Sequence, residues 1–191
     1  AGGTAPGGDG AQVFVGEFDE EGVWFYQAFN AAIADWAVEH QRLGGPAFKP
    51  LRMTWIKPSF AWVLYRSGYA SKSNQERILK LKLSHASVAE LLAQCQCKKG
   101  GGGSKGRVQW DPSRDLMAPD DKGKVPRKML RERAIQIGLK SSVSEQYVAS
   151  IIAVEDVTAL ALRVGEAHSH KPGSAALREA MEALAPDLPD E

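Results

Sequence analysis

Cysteine is scarce in this chain, and its absence is informative. The two cysteines among 191 residues, Cys95 and Cys97, stand one residue apart. A Cys-x-Cys pair does not easily bridge to itself, and no Cys/His group at zinc spacing accompanies it. A disulfide framework and a zinc knuckle are therefore not expected; reduced thiols at a helix end are. An excess of either charge is also missing. Lys and Arg number 24 against 23 Asp and Glu, for a net charge of +1 and a pI near 8.0. A near-neutral balance supplies no global field for nucleic acid or a membrane surface, so any basic site must be local. No apolar run approaches the roughly 18 residues of a membrane span, and no membrane partner is expected. His40, His85, His168 and His170 are scattered, the last two in a polar linker, and no metal site is expected. The opening residues carry neither an apolar h-region nor a basic amphipathic pattern, so no targeting segment is visible. The expected location is cytoplasmic or another reducing compartment, with an organelle reached after processing kept open.

What is present suits one globular domain: 43% hydrophobic and 25% charged residues, with enough chain to bury a core. Residues 1–11 are Gly/Ala/Pro-rich and are expected to be disordered. Residues 12–170 are expected to form a single α+β domain with a flexible Gly-rich loop at 98–105. Residues 171–191 are expected to be an amphipathic helix and a tail, the helix over 174–184. Strands are expected at 13–15, 23–26, 53–56, 76–83, 107–110, 134–139 and 151–154, from β-branched, aromatic or alternating composition. Helices are expected over 28–40, from Pro58 to Tyr65 with Gly68 closing it, from a Ser87 cap to Gln94, over 142–149, and from Asp156 or Thr158 onward. Asp111-Pro112 reads as a turn. Short strands and helices in irregular order predict an α+β fold of short, strongly bent sheets flanked by helices, without the rhythm of a doubly wound sheet.

One block stands out: Arg52-Met53-Thr54-Trp55-Ile56-Lys57-Pro58-Ser59-Phe60-Ala61-Trp62-Val63-Leu64-Tyr65-Arg66-Ser67-Gly68. It interleaves cations with aromatics and hydroxyls. Cations pair with phosphate, aromatic faces stack on bases, and hydroxyls fix orientation. Lys57-Pro58-Ser59 at a strand-to-helix junction puts a cation and a hydroxyl where anions bind; the alternative is a solvated strand-end lysine. Arg66 is either a phosphate ligand or a cap complementing the helix dipole. Trp62 reads as core. Gln136 lies opposite in alternation to Ile135 and Ile137, so it faces solvent or a cleft. Gln75-Glu76-Arg77 is either a functional turn or a turn with a surface ion pair. Gln109-Trp110-Asp111-Pro112, with Arg114, reads as a strand end and structural turn, with Trp110 beside Arg114 as a candidate floor for a base pocket.

The same block resembles the signature of the family called domain of unknown function 4291. Tyr26-Gln27-Ala28, Gln75-Glu76-Arg77, Gln109-Trp110-Asp111-Pro112 with Arg114-Asp115, Gln136-Ile137-Gly138-Leu139 and Glu155-Asp156-Val157-Thr158 fit the same pattern in the same order. That resemblance covers about residues 13–165 and implies no assigned activity. A second, pattern-level similarity is to ADP-ribosyltransferases, especially the toxin type that modifies DNA bases, and it implies an ADP-ribosyltransferase-like fold with NAD as cofactor. In that similarity Lys57 opens the basic-residue helix through Tyr65 and Arg66. Asn74-Gln75-Glu76-Arg77 takes the Gly-Gln-Glu turn. Gln136 falls near the catalytic glutamate, an amide where a carboxylate would stand, which moves the acidic role to Glu76 or Glu155. The implied catalytic residues are Glu76 and Gln136. The implied cofactor residues are Tyr26, Gln27, Lys57, Ser59, Tyr65, Arg66 and Arg77, and the implied substrate residues are Trp55, Gln109, Trp110 and Arg114. The expected function is transfer of ADP-ribose to a nucleotide, nucleic acid or protein. The alternatives are a non-catalytic nucleotide or nucleic-acid binding module, or a structural subunit of a protein assembly with an inert site. Lys57, Arg66 and Arg77 are expected in one cleft with Tyr26.

Overall fold

The computed structural model describes residues 13–96, 105–119 and 128–190. The expectations for residues 1–11 and for most of the 98–105 loop lie outside the described residues. In chain order the elements are β1 (Gly22–Phe29), α1 (Ala31–His40), β2 (Thr54–Ile56), α2 (Phe60–Ser67), β3 (Arg77–Ser84), α3 (His85–Ala93), β4 (Cys95–Gln96), β5 (Gly106–Arg114), β6 (Met129–Leu139), α4 (Ser142–Ala149), β7 (Ile151–Asp156), α5 (Thr158–Ala167) and α6 (Ala175–Leu184), followed by a short 3-10 turn, Ala185–Asp187. The fold is mixed α and β, one domain with two sheets. The three-stranded sheet has the order β1-β3-β7, all antiparallel. The four-stranded sheet has the order β2-β6-β5-β4, antiparallel except for the parallel β4–β5 pair.

Local chemistry sets the helix starts. Asn30, Ser59, Ser84 and Ser174 each accept the backbone N–H three residues ahead, which satisfies a donor the helix leaves orphaned. Gly68, at φ 62°, closes α2 in the left-handed region, where glycine carries no Cβ penalty. Three expectations are corrected. Ser84, not Ser87, caps α3: its Oγ accepts from Ser87 N at 3.1 Å, because the helix begins as β3 ends. Residues 13–15 form no strand; Val13 and Val15 stay exposed, and this segment only touches β1 through a Phe18–Val23 bridge. Asp111-Pro112 is no turn: β5 runs on to Arg114, with a register irregularity between Pro112 and Arg114, the kind of place where a sheet tolerates proline.

Alternation divides the core in two. Val23, Phe25, Phe29, Leu79, Leu81 and Leu83 turn one face of the three-stranded sheet toward Ile56, Ile135, Ile137 and Leu139 of the other sheet and toward α1, α3 and α4. Tyr26 and Ile78 face the opposite way and pack with α2, α5 and α6, where Leu177, Met181 and Leu184 of α6 are buried. The two sheets meet at one seam. Tyr26 N donates to Lys57 O at 2.7 Å. Beside it, Gln27 Nε2 donates to Thr54 Oγ1 at 2.7 Å and to Trp55 O at 3.0 Å. Tyr147 OH donates to Gln27 Oε1 at 2.6 Å.

Strand β7 is an edge of its sheet, and exposed edges invite pairing with other chains. Gln41, at φ 52° after α1, covers part of it. Its Oε1 accepts from Val154 N and its Nε2 donates to Val154 O, both at 3.0 Å. Gln41→Ala is expected to cost about 1–2 kcal/mol, the net worth of two hydrogen bonds, and to speed aggregation. Urea unfolding and light scattering check this; an unchanged midpoint would show that the amide contributes nothing.

Candidate functional site

The register of the four-stranded sheet assembles the site. Trp55 lies opposite Gly138 and Ile56 opposite Ile137. Arg107 lies opposite Gly138, Gln109 opposite Gln136, and Asp111 opposite Ala134. Opposed residues share a face and successive residues alternate. Ile56, Ile137, Val108, Trp110 and Ile135 therefore fill the core between the sheets. Trp55, Gly138, Arg107, Gln136, Gln109 and Asp111 share the other face. Lys57, the next residue after Ile56, bridges to Tyr26 of β1, and its ammonium is within electrostatic reach of Asp111 on that polar face; α2 begins three residues further on.

Three contacts give the face its chemistry. Gln136 Nε2 donates to Gln109 Oε1 at 3.1 Å and to Asp111 Oδ2. Arg107 lies 4.9 Å from the centre of the Trp55 ring. A Cβ on Gly138 would fall 2.7 Å from Trp55 Cη2, so only glycine lets the indole lie across the sheet there. At the α2 end, the Arg114 guanidinium sits 3.6 Å from the Tyr65 ring centre, and Trp62 meets Tyr65 edge-on at 5.8 Å.

Lys57 is the electrostatic centre of the face. It is only 6% exposed, and its Nζ sits 4.2 Å from the centre of the Trp62 ring. Its ammonium forms no ion pair or hydrogen bond with any described residue. Burial lowers its pKa to about 8, with the like charge of Arg66 adding to the shift and the carboxylate of Asp111 opposing it. The solvated strand-end lysine is thus corrected. The core assignment of Trp62 holds, the indole being 9% exposed, and one face of its ring also carries a cation.

The structure brings together Lys57, Arg66, Gln136, Gln109 and Trp55, with Tyr65 and Arg114 at the rim. Ser59 is adjacent, but its Oγ accepts from Trp62 N at 3.1 Å and starts α2. Other expected members lie elsewhere. Arg77 lies opposite Phe29 at the end of β3, on the face turned away from Tyr26, and is held by Asp35 and Asp156; the Asp156 bond is the main cause of its raised pKa. The shared cleft of Lys57, Arg66 and Arg77 therefore does not form. Glu76 is exposed in the turn before β3, and its Oε1 accepts from Asn74 N at 2.7 Å. Glu155 faces Lys80 at 3.6 Å. Tyr26 is 2% exposed, its ring 5.3 Å from Phe60 and its OH donating to Glu17 at 3.0 Å, so it presents no face to a ligand. Gln27 is the seam brace described above. Trp110 is turned by alternation into the core between the sheets, its Nε1 buried without a hydrogen-bond partner.

Sequence reasoning missed Asp111 and Arg107 as members of the face. The signal was available in the period-two spacing Arg107-x-Gln109-x-Asp111, but Pro112 was read as ending the strand before Asp111. Among the described residues there is no group of His, Cys, Asp and Glu able to hold a metal ion, and no helix long and apolar enough to cross a membrane.

No curated protein matches the chain. A family model, Domain of unknown function (DUF4291), matches residues 13–186, a span that contains both sheets and every residue of the polar face. The chain belongs to the DUF4291 family.

Proposed function

We propose that the chain binds a nucleotide on the polar face of its four-stranded sheet, that the nucleotide is NAD, and that ADP-ribose is transferred from it to a nucleotide, nucleic-acid or protein acceptor. The observation that carries this reading is Lys57. A buried ammonium with no direct ion pair is costly, the Asp111 carboxylate reaching it only at longer range, and a phosphate would supply a contacting anion, with Arg66 alongside. The Trp62–Tyr65 and Trp55–Arg107 pairs offer aromatic and cationic surfaces for a base or nicotinamide. Cleavage of the nicotinamide–ribose bond develops positive charge on the ribose, which a fixed carboxylate stabilises. Asp111, held by the Gln136 amide, is the carboxylate beside Gln136, and it takes over the acidic role first given to Glu76.

A nucleotide-binding module without turnover is the second reading, favoured by the neutral amide of Gln136 and by its hold on Asp111. Calorimetric titration with NAD and ADP-ribose, together with a nicotinamide-release assay, separates the two. Binding of both ligands with nicotinamide release is expected. Asp111→Asn should lower release about a hundredfold, the scale of losing one electrostatic stabiliser, while changing affinity little. Binding without release would leave the module reading. No binding of either nucleotide would end both.

A further inference from the structure

Among the described residues, the buried and half-buried lysines come in two kinds. Lys80 and Lys82 lie on the three-stranded sheet against the Trp24 ring, at 4.4 and 5.3 Å. Both are neutralised: Lys80 pairs with Glu17 at 2.7 Å and Glu155 at 3.6 Å, and Lys82 with Asp19 at 2.7 Å and Glu21. Lys57 is as deeply buried as Lys82, at 6% against 5%, and has no such partner among the described residues. Its surroundings are the Trp62 indole face, the like charge of Arg66 and, at longer range, the carboxylate of Asp111. Desolvation beside a second cation is how a lysine amine becomes a nucleophile.

We propose that Lys57 is a nucleophilic amine that forms an imine with the carbonyl carbon of a phosphorylated sugar or similar phosphorylated aldehyde. The neutral amine adds to the aldehyde carbon and one N–H proton passes to the carbonyl oxygen, giving a carbinolamine. The hydroxyl then leaves with the second N–H proton as water, and the C=N bond remains. No oxidant or reductant is needed. Arg66 is the cation placed to take the phosphate.

The pKa, lowered by burial to about 8, is compatible with this role, since an amine must be partly neutral to add to a carbonyl. Roughly a tenth of the amine is free at pH 7, against well under a thousandth for an ordinary lysine. The groups acting on the amine are Arg66 from α2 and Asp111 from β5. Of the other polar groups nearby, the Tyr26 phenol on β1 is bound to Glu17, and Arg114 is stacked on Tyr65. This inference goes beyond the NAD reading and does not require it.

The test treats the full chain with a ribose phosphate and sodium cyanoborohydride, which fixes imines as stable amines, and maps the adducts by peptide mass spectrometry. Lys57 should be modified at least about tenfold faster than any other lysine at neutral pH. Its rate should level off above about pH 8, while ordinary lysines keep gaining reactivity toward about pH 10.4. Unphosphorylated ribose should react more slowly at Lys57 but not elsewhere, and Lys57→Arg should remove the fast adduct. If that variant fails to fold, the pH profile of the wild-type Lys57 peptide decides. Adducts spread over the exposed lysines, or a Lys57 profile still rising at pH 10, would overturn the proposal. An adduct at Lys57 in a chain that binds no nucleotide would uphold it and sink the NAD reading alone.

Discussion

Replacing Lys57 with methionine is expected to raise the melting temperature at neutral pH while removing affinity for a phosphorylated ligand. Methionine keeps the unbranched stem over Trp62 and removes the buried charge. Burial lowers the pKa of the amine to about 8 from the ordinary lysine value of 10.5, so the charged form opposes folding by about 3 kcal/mol at pH 7. Loss of the Trp62 cation–π contact returns about 1 kcal/mol, leaving a net gain of about 2 kcal/mol. For a chain of this size that is a rise of roughly 4–8 °C.

The pH dependence has a fixed sign. Between about pH 8 and 10.5 the unfolded chain binds more protons than the folded one, so wild-type stability climbs across this window. The advantage of the methionine variant should fade over the same window and be gone above it. Thermal melts of both proteins at pH 7 and pH 10.5 measure this directly. Equal melting temperatures at pH 7 would mean that the amine is solvated. The binding arm is separate: NAD or ADP-ribose affinity should fall about thirtyfold or more, the scale of truncating a buried charged partner.

Gln27→Leu should be the most damaging of the substitutions considered. The side chain is 6% exposed and joins the two sheets with three hydrogen bonds, to Thr54 Oγ1, Trp55 O and the Tyr147 hydroxyl. Leucine fits the volume but strands the Tyr147 hydroxyl on a residue with no exposed surface, along with the Trp55 carbonyl. Leaving buried polar groups without partners costs about 1–3 kcal/mol each, so a loss of about 3–5 kcal/mol is expected. Tyr147→Phe alone should cost about 1–2 kcal/mol. The two together should cost less than their sum, since each removes the other's stranded partner. Denaturant melts of the two single variants and the double variant close the cycle; strict additivity would mean that the Gln27–Tyr147 bond is not the coupling.

The helices were the most legible elements, because capping and turn chemistry act locally. Gly68 closes α2 as expected, although the helix starts at Phe60 behind a Ser59 cap and not at Pro58, and Ser142–Ala149 is helical over the expected span. The Ser84 cap was missed because strand and helix share that boundary. Pro112 misled for a related reason: proline ends most strands, and only a neighbouring irregularity lets this one continue.

The sequence by itself determined the density of cations and aromatics between Arg52 and Gly68, the alternation that sends Gln136 away from Ile135 and Ile137, and the family. Tertiary structure alone decided which of those residues act together. Arg77 looked equivalent to Lys57 in composition, yet the register of β3 delivers it to Asp35 and Asp156, while Lys57, just past β2, is buried against Trp62 with no ion pair among the described residues. The physical reason is that a charged side chain's role depends on its counter-charge and its access to water. Both are set by residues distant in sequence: Asp35 is 42 positions from Arg77, and Asp111 comes from a different strand than Lys57. Local pattern carries the helix caps and the strand faces; it carries no record of which distant carboxylate a cation will meet.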